Sequence, residues 1–153
     1  MASQVRWTRT PGHDHHFAYN WPAFLELLPP SGRATLDLGC GEGRCGAALR
    51  ARGHRVTGVD ASTSLAELAR ATGAYEEVLV ADAVALPFGD AAFDLVLAFM
   101  SLQDMDDAAN AVSEVARVLA PGGRFAAAIV HPFAKQDDPR SAPHEEVGTG
   151  IVG

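Results

Sequence analysis

The chain lacks any run of apolar residues long enough to span a bilayer, and its first residues lack the apolar core of a secretory signal peptide. We therefore expect a cytoplasmic protein without a membrane partner. Basic residues are also few, because 12 Lys and Arg stand against 19 Asp and Glu, and Lys135 is the only lysine. The net charge of −7 argues against nucleic acid as a partner, since phosphate backbones are bound by clustered cationic side chains.

Cysteine and histidine offer little that could bind a metal or carry redox chemistry. Cys40 and Cys45 are the only cysteines, and their spacing matches neither a common zinc pair nor a C-x-x-C motif. We expect both to be free thiols without a chemical role. Residues 13–16 read His-Asp-His-His, but adjacent histidines seldom converge on one ion, so no metal site is expected.

What the chain does contain is a regular alternation of strand and helix patterns. Its 153 residues, 48% of them hydrophobic, are enough for one folded domain. Strands are predicted at residues 35–38, 55–60, 77–81, 93–99 and 124–130, and helices at residues 23–28, 44–52, 62–72 and 107–119. This alternation predicts an α/β fold, a doubly wound sheet of about five parallel strands with helices on both faces. Ligands of such sheets bind at the carboxyl ends of the strands.

Residues 34–43, which read ATLDLGCGEG, are the most informative segment. Glycines on alternate positions let a backbone turn sharply and approach a ligand closely. Asp37 stands in the apolar strand that leads into these glycines, where an unpaired carboxylate is costly. We therefore expect it to face a cationic or hydrogen-bond-donating ligand.

Two classes of cofactor use a glycine loop of this kind. Residues 41–46 fit G-x-G-x-x-G, and Asp60 follows at roughly the 20-residue distance found in dinucleotide-binding folds. A pyrophosphate, however, favours a helix N-terminus free of competing anions, and Asp37 and Glu42 flank this loop. Their negative charge favours a cationic ligand, such as the ammonium and sulfonium of S-adenosylmethionine. A nicotinamide-dependent oxidoreductase is the less favoured alternative.

Residues 36–130 resemble the class I S-adenosylmethionine-dependent methyltransferases of the small-molecule type. The resemblance rests on five motifs in register, which are LDLGCGEG at 36–43, VDAS at 59–62, ADA at 81–83 followed by LPF at 86–88, FDLV at 93–96 and RVLAPGG at 117–123. It implies a Rossmann-like fold and the transfer of a methyl group from S-adenosylmethionine to a small-molecule acceptor, with S-adenosylhomocysteine as product.

The resemblance also implies a cofactor-binding role for residues at the ends of the strands. Asp37 looks like the partner of the methionine ammonium, Asp60 like the acceptor of both ribose hydroxyls, and Asp82 like an adenine contact. The complete set of expected cofactor-binding residues is Asp37, Gly39, Cys40, Gly41, Gly43, Asp60, Ala61, Asp82, Ala83, Phe99 and Met100. Asp94 lies in a motif but is expected to be structural.

Catalytic residues are less well defined, because the donor is already activated and the protein mainly aligns the reactants. For a hydroxyl acceptor, His131 is a candidate general base and Asp104 is a candidate hydrogen-bond partner of the acceptor, and each is equally compatible with a purely structural role. Residues 1–30 are expected to form a helical lid on a cofactor-binding domain that spans residues 1–133. The acceptor itself is not predicted.

The family normally continues beyond the fifth strand into a helix and an antiparallel pair, which this sequence is too short to contain. We therefore expect the fifth strand to be a sheet edge and residues 134–153 to be a flexible tail. An apolar edge predicts a homodimer unless the tail covers it. A noncatalytic module that binds S-adenosylmethionine is the second alternative.

Overall fold

The computed structural model describes residues 16–130 and 147–152. A single sheet of six strands runs through it in the order β3-β2-β1-β4-β5-β6. The strands are β1 Thr35–Leu38, β2 Val56–Asp60, β3 Glu77–Val80, β4 Phe93–Phe99, β5 Leu119–Val130 and β6 Val147–Val152. The helices are α1 Trp21–Leu27, α2 Gly46–Ala51, α3 Thr63–Ala71 and α4 Ala108–Val118. Single turns of π-helix and 3₁₀-helix occur at His16–Asn20 and Leu102–Asp104.

The first five strands are parallel to one another, which confirms the predicted Rossmann-like α/β sheet. All four residues of β1 are buried, as expected of a central strand covered on both faces. The chain runs outward from β1 through β2 to β3 and then crosses back to β4, on the other side of β1. The carboxyl ends of β1 and β4 therefore form the switch point at which doubly wound sheets bind ligands.

The two longest helices begin at capping residues. The Ser62 hydroxyl accepts a hydrogen bond from the Leu65 amide, and the Asp107 carboxylate accepts one from the Asn110 amide. The spacing of apolar residues predicts a core-facing stripe at residues 112, 115 and 119, and of these only Val115 is fully buried on α4. Ala111, Val115 and Val118 face the core, while Val112 is exposed, because alanine lets the helix approach the sheet closely.

The sixth strand corrects the prediction that β5 is a sheet edge. β6 pairs antiparallel with β5 from Phe125 opposite Val152 to Val130 opposite Val147. Residues 147–152 are therefore a strand and not part of a flexible tail. The dimer was predicted because β5 was expected to be an uncovered edge, and β6 covers that edge. Residues 131–146 lie outside the described residues. Two glycines in a six-residue segment hide the alternation by which such a strand is recognised.

An aromatic cluster joins the N-terminal helix to the carboxyl end of β4. The ring of Phe99 lies 5.1 Å from Trp21 and 5.2 Å from Phe24, and the ring of Phe17 stacks on Trp21 at 5.5 Å. The Arg44 guanidinium lies 4.1 Å from the centre of the Phe17 ring, within cation–π distance. These contacts hold residues 17–28 beside the glycine loop. Among the residues described, no helix is long and apolar enough to cross a membrane.

Candidate functional site

A cavity of about 850 Å³ opens at the carboxyl ends of the strands, within the size range of ligand pockets. Most of the residues that the sequence singled out line it, namely Gly39, Gly41, Asp60, Ala61, Asp82, Ala83, Phe99, Met100 and Asp104. Asp37, Cys40 and Gly43 do not line it. His131 and residues 1–15 lie outside the described residues, so the second catalytic candidate and most of the lid stay predictions.

The glycine loop is held against the end of β2 by backbone hydrogen bonds. The amides of Gly39 and Cys40 both donate to the Val59 carbonyl, at 2.8 and 2.9 Å. Gly39 has a φ of +70°, and a Cβ there would come within 2.5 Å of the Ser101 Cβ. Glycine is therefore required at position 39 both for the turn and for the close approach of the segment after β4.

The carboxylate of Asp60 is fixed at the wall of the cavity by two backbone donors. The Gly41 amide donates to Oδ2 and the Ser62 amide donates to Oδ1, each at 2.8 Å. Each oxygen of a carboxylate can accept more than one hydrogen bond. The side chain is thus locked in one orientation and keeps acceptor capacity for a pair of neighbouring hydroxyl groups.

Asp37 lies beneath the glycine loop and not at the cavity wall. Its side chain is 1% exposed, and its Oδ2 accepts a hydrogen bond of 2.8 Å from the Tyr75 hydroxyl. Burial raises the pKa of Asp37 to about 7, the Tyr75 hydrogen bond opposes that rise, and the nearby charge of Asp60 adds to it. The structure therefore gives Asp37 a partner within the protein, where the sequence predicted a ligand.

The two cysteines are buried and free, as predicted. Burial is the main cause that raises the pKa of each thiol, and the negative charge of Asp37 adds to it. Thiols held neutral in this way are poor nucleophiles and poor metal ligands. Within the described residues no group of three or more His, Cys, Asp or Glu side chains is arranged to hold a metal ion. Of the His-Asp-His-His segment, residues 13–15 lie outside them.

The far side of the cavity is formed by the segment that follows β4. Met100 adopts a φ of +57°, which is uncommon for a residue with a side chain, and its amide donates to the Ala128 carbonyl at 2.8 Å. The Ser101 hydroxyl donates to the Leu38 carbonyl at 2.7 Å and so ties this segment to the end of β1. Asp104 follows on the 3₁₀ turn, exposed at the edge of the cavity.

Charge at the cavity is strongly one-sided. Arg44 is the only cationic residue among those lining it in the described part of the chain, whereas its acidic residues are Glu42, Asp60, Asp82, Asp104, Asp106 and Asp107. Glu42 is 7% exposed, and its Oε1 lies 3.7 Å from the Arg44 Nε. This lining favours a cationic ligand over a pyrophosphate, because like charges repel strongly where water is partly excluded.

Sequence reasoning missed several residues of the site. Ser101 and Tyr75 carry no local signal, since each acts on a residue of β1 that is distant in the chain. Glu42 was noted only for its charge, although its position between two glycines of the loop points toward the ligand side. Asp94 accepts hydrogen bonds from the amides of Arg33 and Ala34 at the start of β1, so its predicted structural role is confirmed.

Residues 36–127 match the family described as a methyltransferase domain. The chain belongs to the class I S-adenosylmethionine-dependent methyltransferase family. It is 36% identical to O-methyltransferase cnsE of Penicillium expansum in an alignment 131 residues long that covers 80% of this chain and 48% of the relative. It is 39% identical to the malonyl-[acyl-carrier protein] O-methyltransferase of Salmonella typhimurium in an alignment 104 residues long that covers 66% of this chain and 41% of the relative.

Solved structures of methyltransferases share the fold. The methyltransferase of Haloferax volcanii that was solved in complex with the Trm112 activator aligns with a TM-score of 0.71 and 30% identity, over 82% of this chain and 57% of its own. The S-adenosylmethionine-dependent methyltransferase of Mesorhizobium loti aligns with a TM-score of 0.65 and 33% identity, over 74% and 55% of the two chains. The methyltransferase chain described here spans about half the length of the curated relatives it matches.

Proposed function

We propose that this methyltransferase chain binds S-adenosylmethionine in the cavity at the carboxyl ends of the strands and transfers its methyl group to a small-molecule acceptor. The observation that carries the proposal is the Asp60 carboxylate, which two backbone amides orient toward the cavity. A carboxylate with acceptor capacity on both oxygens suits the two hydroxyls of a ribose. Family membership supports the same cofactor.

The residues around Asp60 fit the rest of this cofactor. The Asp82 carboxylate and Ala83 lie at the end of β3, where they can receive the adenine, and Asp82 Oδ1 already accepts the Val84 amide at 3.1 Å. The acidic lining attracts the ammonium and the sulfonium. Phe99 and Met100 line the part of the cavity next to β4, where they can border the methionine and its methyl group.

When bound, S-adenosylmethionine supplies an already activated methyl group, so the chain's own residues have to align the acceptor and exclude water. Phe17, Trp21 and Phe99 form an apolar cluster next to the cavity that can limit the access of water. Of the two catalytic candidates, Asp104 is the one that the structure describes, and at the edge of the cavity it can take a proton from a hydroxyl acceptor. Oxygen is the favoured acceptor atom, because relatives such as cnsE are named O-methyltransferases.

A second candidate is a module that binds the cofactor without catalysis. The alignments cover about half the length of the curated relatives, so turnover is a proposal separate from cofactor binding. A nicotinamide-dependent oxidoreductase is disfavoured by the acidic cavity lining and by the Gly41 amide, which is bonded to Asp60. The homodimer, the absence of a nucleic-acid partner and the cytoplasmic location stay predictions.

Isothermal titration calorimetry with S-adenosylmethionine, S-adenosylhomocysteine and NADH tests the proposal. We expect both adenosyl ligands to bind, and Asp60→Ala to weaken them by about 100-fold, because two hydrogen bonds to a charged group are lost. Asp90→Ala is the matched control, since its carboxylate is 81% exposed and does not line the cavity. Binding of NADH alone would contradict the proposal. Binding of the adenosyl ligands without turnover over a broad panel of hydroxyl acceptors would favour the noncatalytic module.

A further inference from the structure

Tyr75, which precedes β3, fills a space that three glycines leave under the glycine loop. A Cβ added at Gly46 would lie 2.4 Å from its ring, and one added at Gly43 or Gly58 would lie 3.0 or 3.1 Å from it. These glycines belong to the loop, to α2 and to β2. The ring is therefore the common packing partner of three elements that meet behind the cavity. A Cβ at Gly46 would clash with the ring, and one at Gly43 or Gly58 would make a tight contact with it.

The position of the ring brings the Tyr75 hydroxyl to Asp37. Gly58 is paired with Asp37 across β1 and β2, and neighbouring residues in register share one face of a sheet. Because Gly58 has no side chain, the ring lies over it and the hydroxyl donates to Asp37 Oδ2 at 2.8 Å. A residue 38 positions away in the chain thus fixes a carboxylate that is 1% exposed.

Asp37 is connected to the cavity through the backbone that follows it. Leu38 and Gly39, the next two residues, line the cavity, and the Leu38 carbonyl accepts the Ser101 hydroxyl from the opposite wall. A change in the position or charge of Asp37 is therefore transmitted to both walls. Such a charge acts strongly on a bound cation, because Asp37 is shielded from water.

We propose that Tyr75 is a positioning residue of the cofactor site: its ring supports the glycine loop, and its hydroxyl holds the Asp37 carboxylate in place beneath a cationic cofactor. The inference rests on the proposed function for the identity of that cofactor. Tyr75 would thus influence cofactor affinity from outside the cavity wall, and its influence would depend on pH. Tyr75 does not line the cavity, and it acts through Asp37 and the glycines.

The electrostatic surroundings of Asp37 determine the sign of the effect. The groups that influence it or face it are Asp60 from β2, Cys40 from the loop, Cys45 before α2 and Tyr75 before β3. The negative charge of Asp60 disfavours ionisation of Asp37, whereas the hydrogen bond from Tyr75 favours the ionised carboxylate. The two thiols and the Tyr75 hydroxyl have raised pKa values and stay neutral. With its pKa near 7, Asp37 gains charge as the pH rises through neutrality. Affinity for a cationic ligand should rise with it.

Tyr75→Phe separates the two contributions, because it removes the hydroxyl and keeps the ring that supports the glycines. We expect the titration midpoint of Asp37, measured by carbon-13 NMR of its carboxyl group without cofactor, to move upward by about one pH unit or more. The dissociation constant of S-adenosylhomocysteine should increase about tenfold near pH 7. The difference from the wild type should largely disappear at about pH 8.5 or above, where Asp37 ionises again.

Two further variants complete the test. Asp37→Asn should bind S-adenosylhomocysteine weakly at every pH and lose the increase in affinity across neutrality. Glu76→Gln is the matched control, because Glu76 adjoins Tyr75 in sequence but pairs with Arg55 on the surface, and it should leave the Asp37 midpoint unchanged. The ligand's own titration is common to all variants and cancels in the comparison.

The outcomes distinguish this inference from the proposed function. If Tyr75→Phe leaves the Asp37 midpoint unchanged, or weakens binding equally at all pH values, the positioning role is wrong while the methyltransferase proposal stands. If the midpoint moves but neither adenosyl ligand binds the wild-type chain, the proposed function is wrong, and with it the role of Tyr75 toward a cofactor. Thermal unfolding of each variant shows whether a loss of binding reflects a loss of folded protein.

Discussion

Carboxylates at the two ends of the sheet have opposite surroundings, although the residue types are the same. At the amino ends of the strands they are paired within the protein. Asp94 accepts the amides of Arg33 and Ala34, and Glu114 accepts the Leu86 amide at 2.8 Å and pairs with Arg117 at 2.7 Å. These groups join the turns and helix ends to the sheet, so each carboxylate has its hydrogen-bond partners within the protein.

At the carboxyl ends, six acidic residues surround a cavity in which Arg44 is the only cationic residue among the described lining. Folding alone does not favour such an arrangement, because like charges around a partly enclosed space repel one another. A cationic ligand relieves that repulsion. The comparison teaches that carboxylates at the amino ends act in separate local contacts that stabilise the fold, whereas those around the cavity, although several also accept backbone amides, present one shared negative charge to a ligand.

The largest expected effect comes from Asp104, which is exposed at the edge of the cavity. If it takes the proton of a hydroxyl acceptor, Asp104→Asn should lower kcat by about 100-fold or more, while the affinity for S-adenosylmethionine stays near the wild-type value. His131→Asn, measured alongside, tests the alternative base. Steady-state kinetics with an accepted hydroxyl substrate and calorimetry of the cofactor separate the two quantities. An equal loss of affinity would assign Asp104 to cofactor binding instead.

A smaller effect is expected at the other end of the sheet, and on stability instead of binding. Asp94→Ala leaves the amides of Arg33 and Ala34 without their side-chain acceptor, which should lower the free energy of unfolding by about 1–2 kcal/mol. Urea unfolding measures this loss, and calorimetry of the folded variant should give an unchanged cofactor affinity. Asp94→Asn, which keeps one acceptor oxygen, is the matched control. Weakened cofactor binding in Asp94→Ala would contradict the distinction between structural carboxylates at the amino ends of the strands and ligand-binding ones at the carboxyl ends.

The sequence predicted the parallel part of the sheet closely because local pattern determines it. β1 and β4 have the predicted bounds, since each is a buried run that ends in a glycine or a turn. The face of α4 was misassigned by one position, because a periodic pattern does not reveal that Ala111 packs inward in place of Val112. β6 was missed because its glycines obscure the strand signal.

The site was predicted where the chain itself supplies the geometry. The backbone amides that fix Asp60 come from the loop and from the turn two residues later, so a local motif was sufficient. The contact of Asp37 with Tyr75 was not predicted, because Tyr75 lies 38 residues away in the chain. Ser101 acts on Leu38 across 63 residues. Contacts of this kind depend on the packing of distant elements, and no local sequence pattern encodes them.

The smallest expected effect concerns Glu114 and depends on pH. Hydrogen bonds from Arg117 and the Leu86 amide hold the pKa of Glu114 at about 2 in the folded chain, below its ordinary value of 4.5. A depressed pKa means that its contribution to stability is present above about pH 4.5 and is lost as the pH falls toward about 2. Glu114→Gln should therefore unfold more easily in urea at pH 7, and the difference from the wild type should shrink between about pH 4.5 and 2. A difference independent of pH would mean that packing, and not the ion pair, accounts for the role of Glu114.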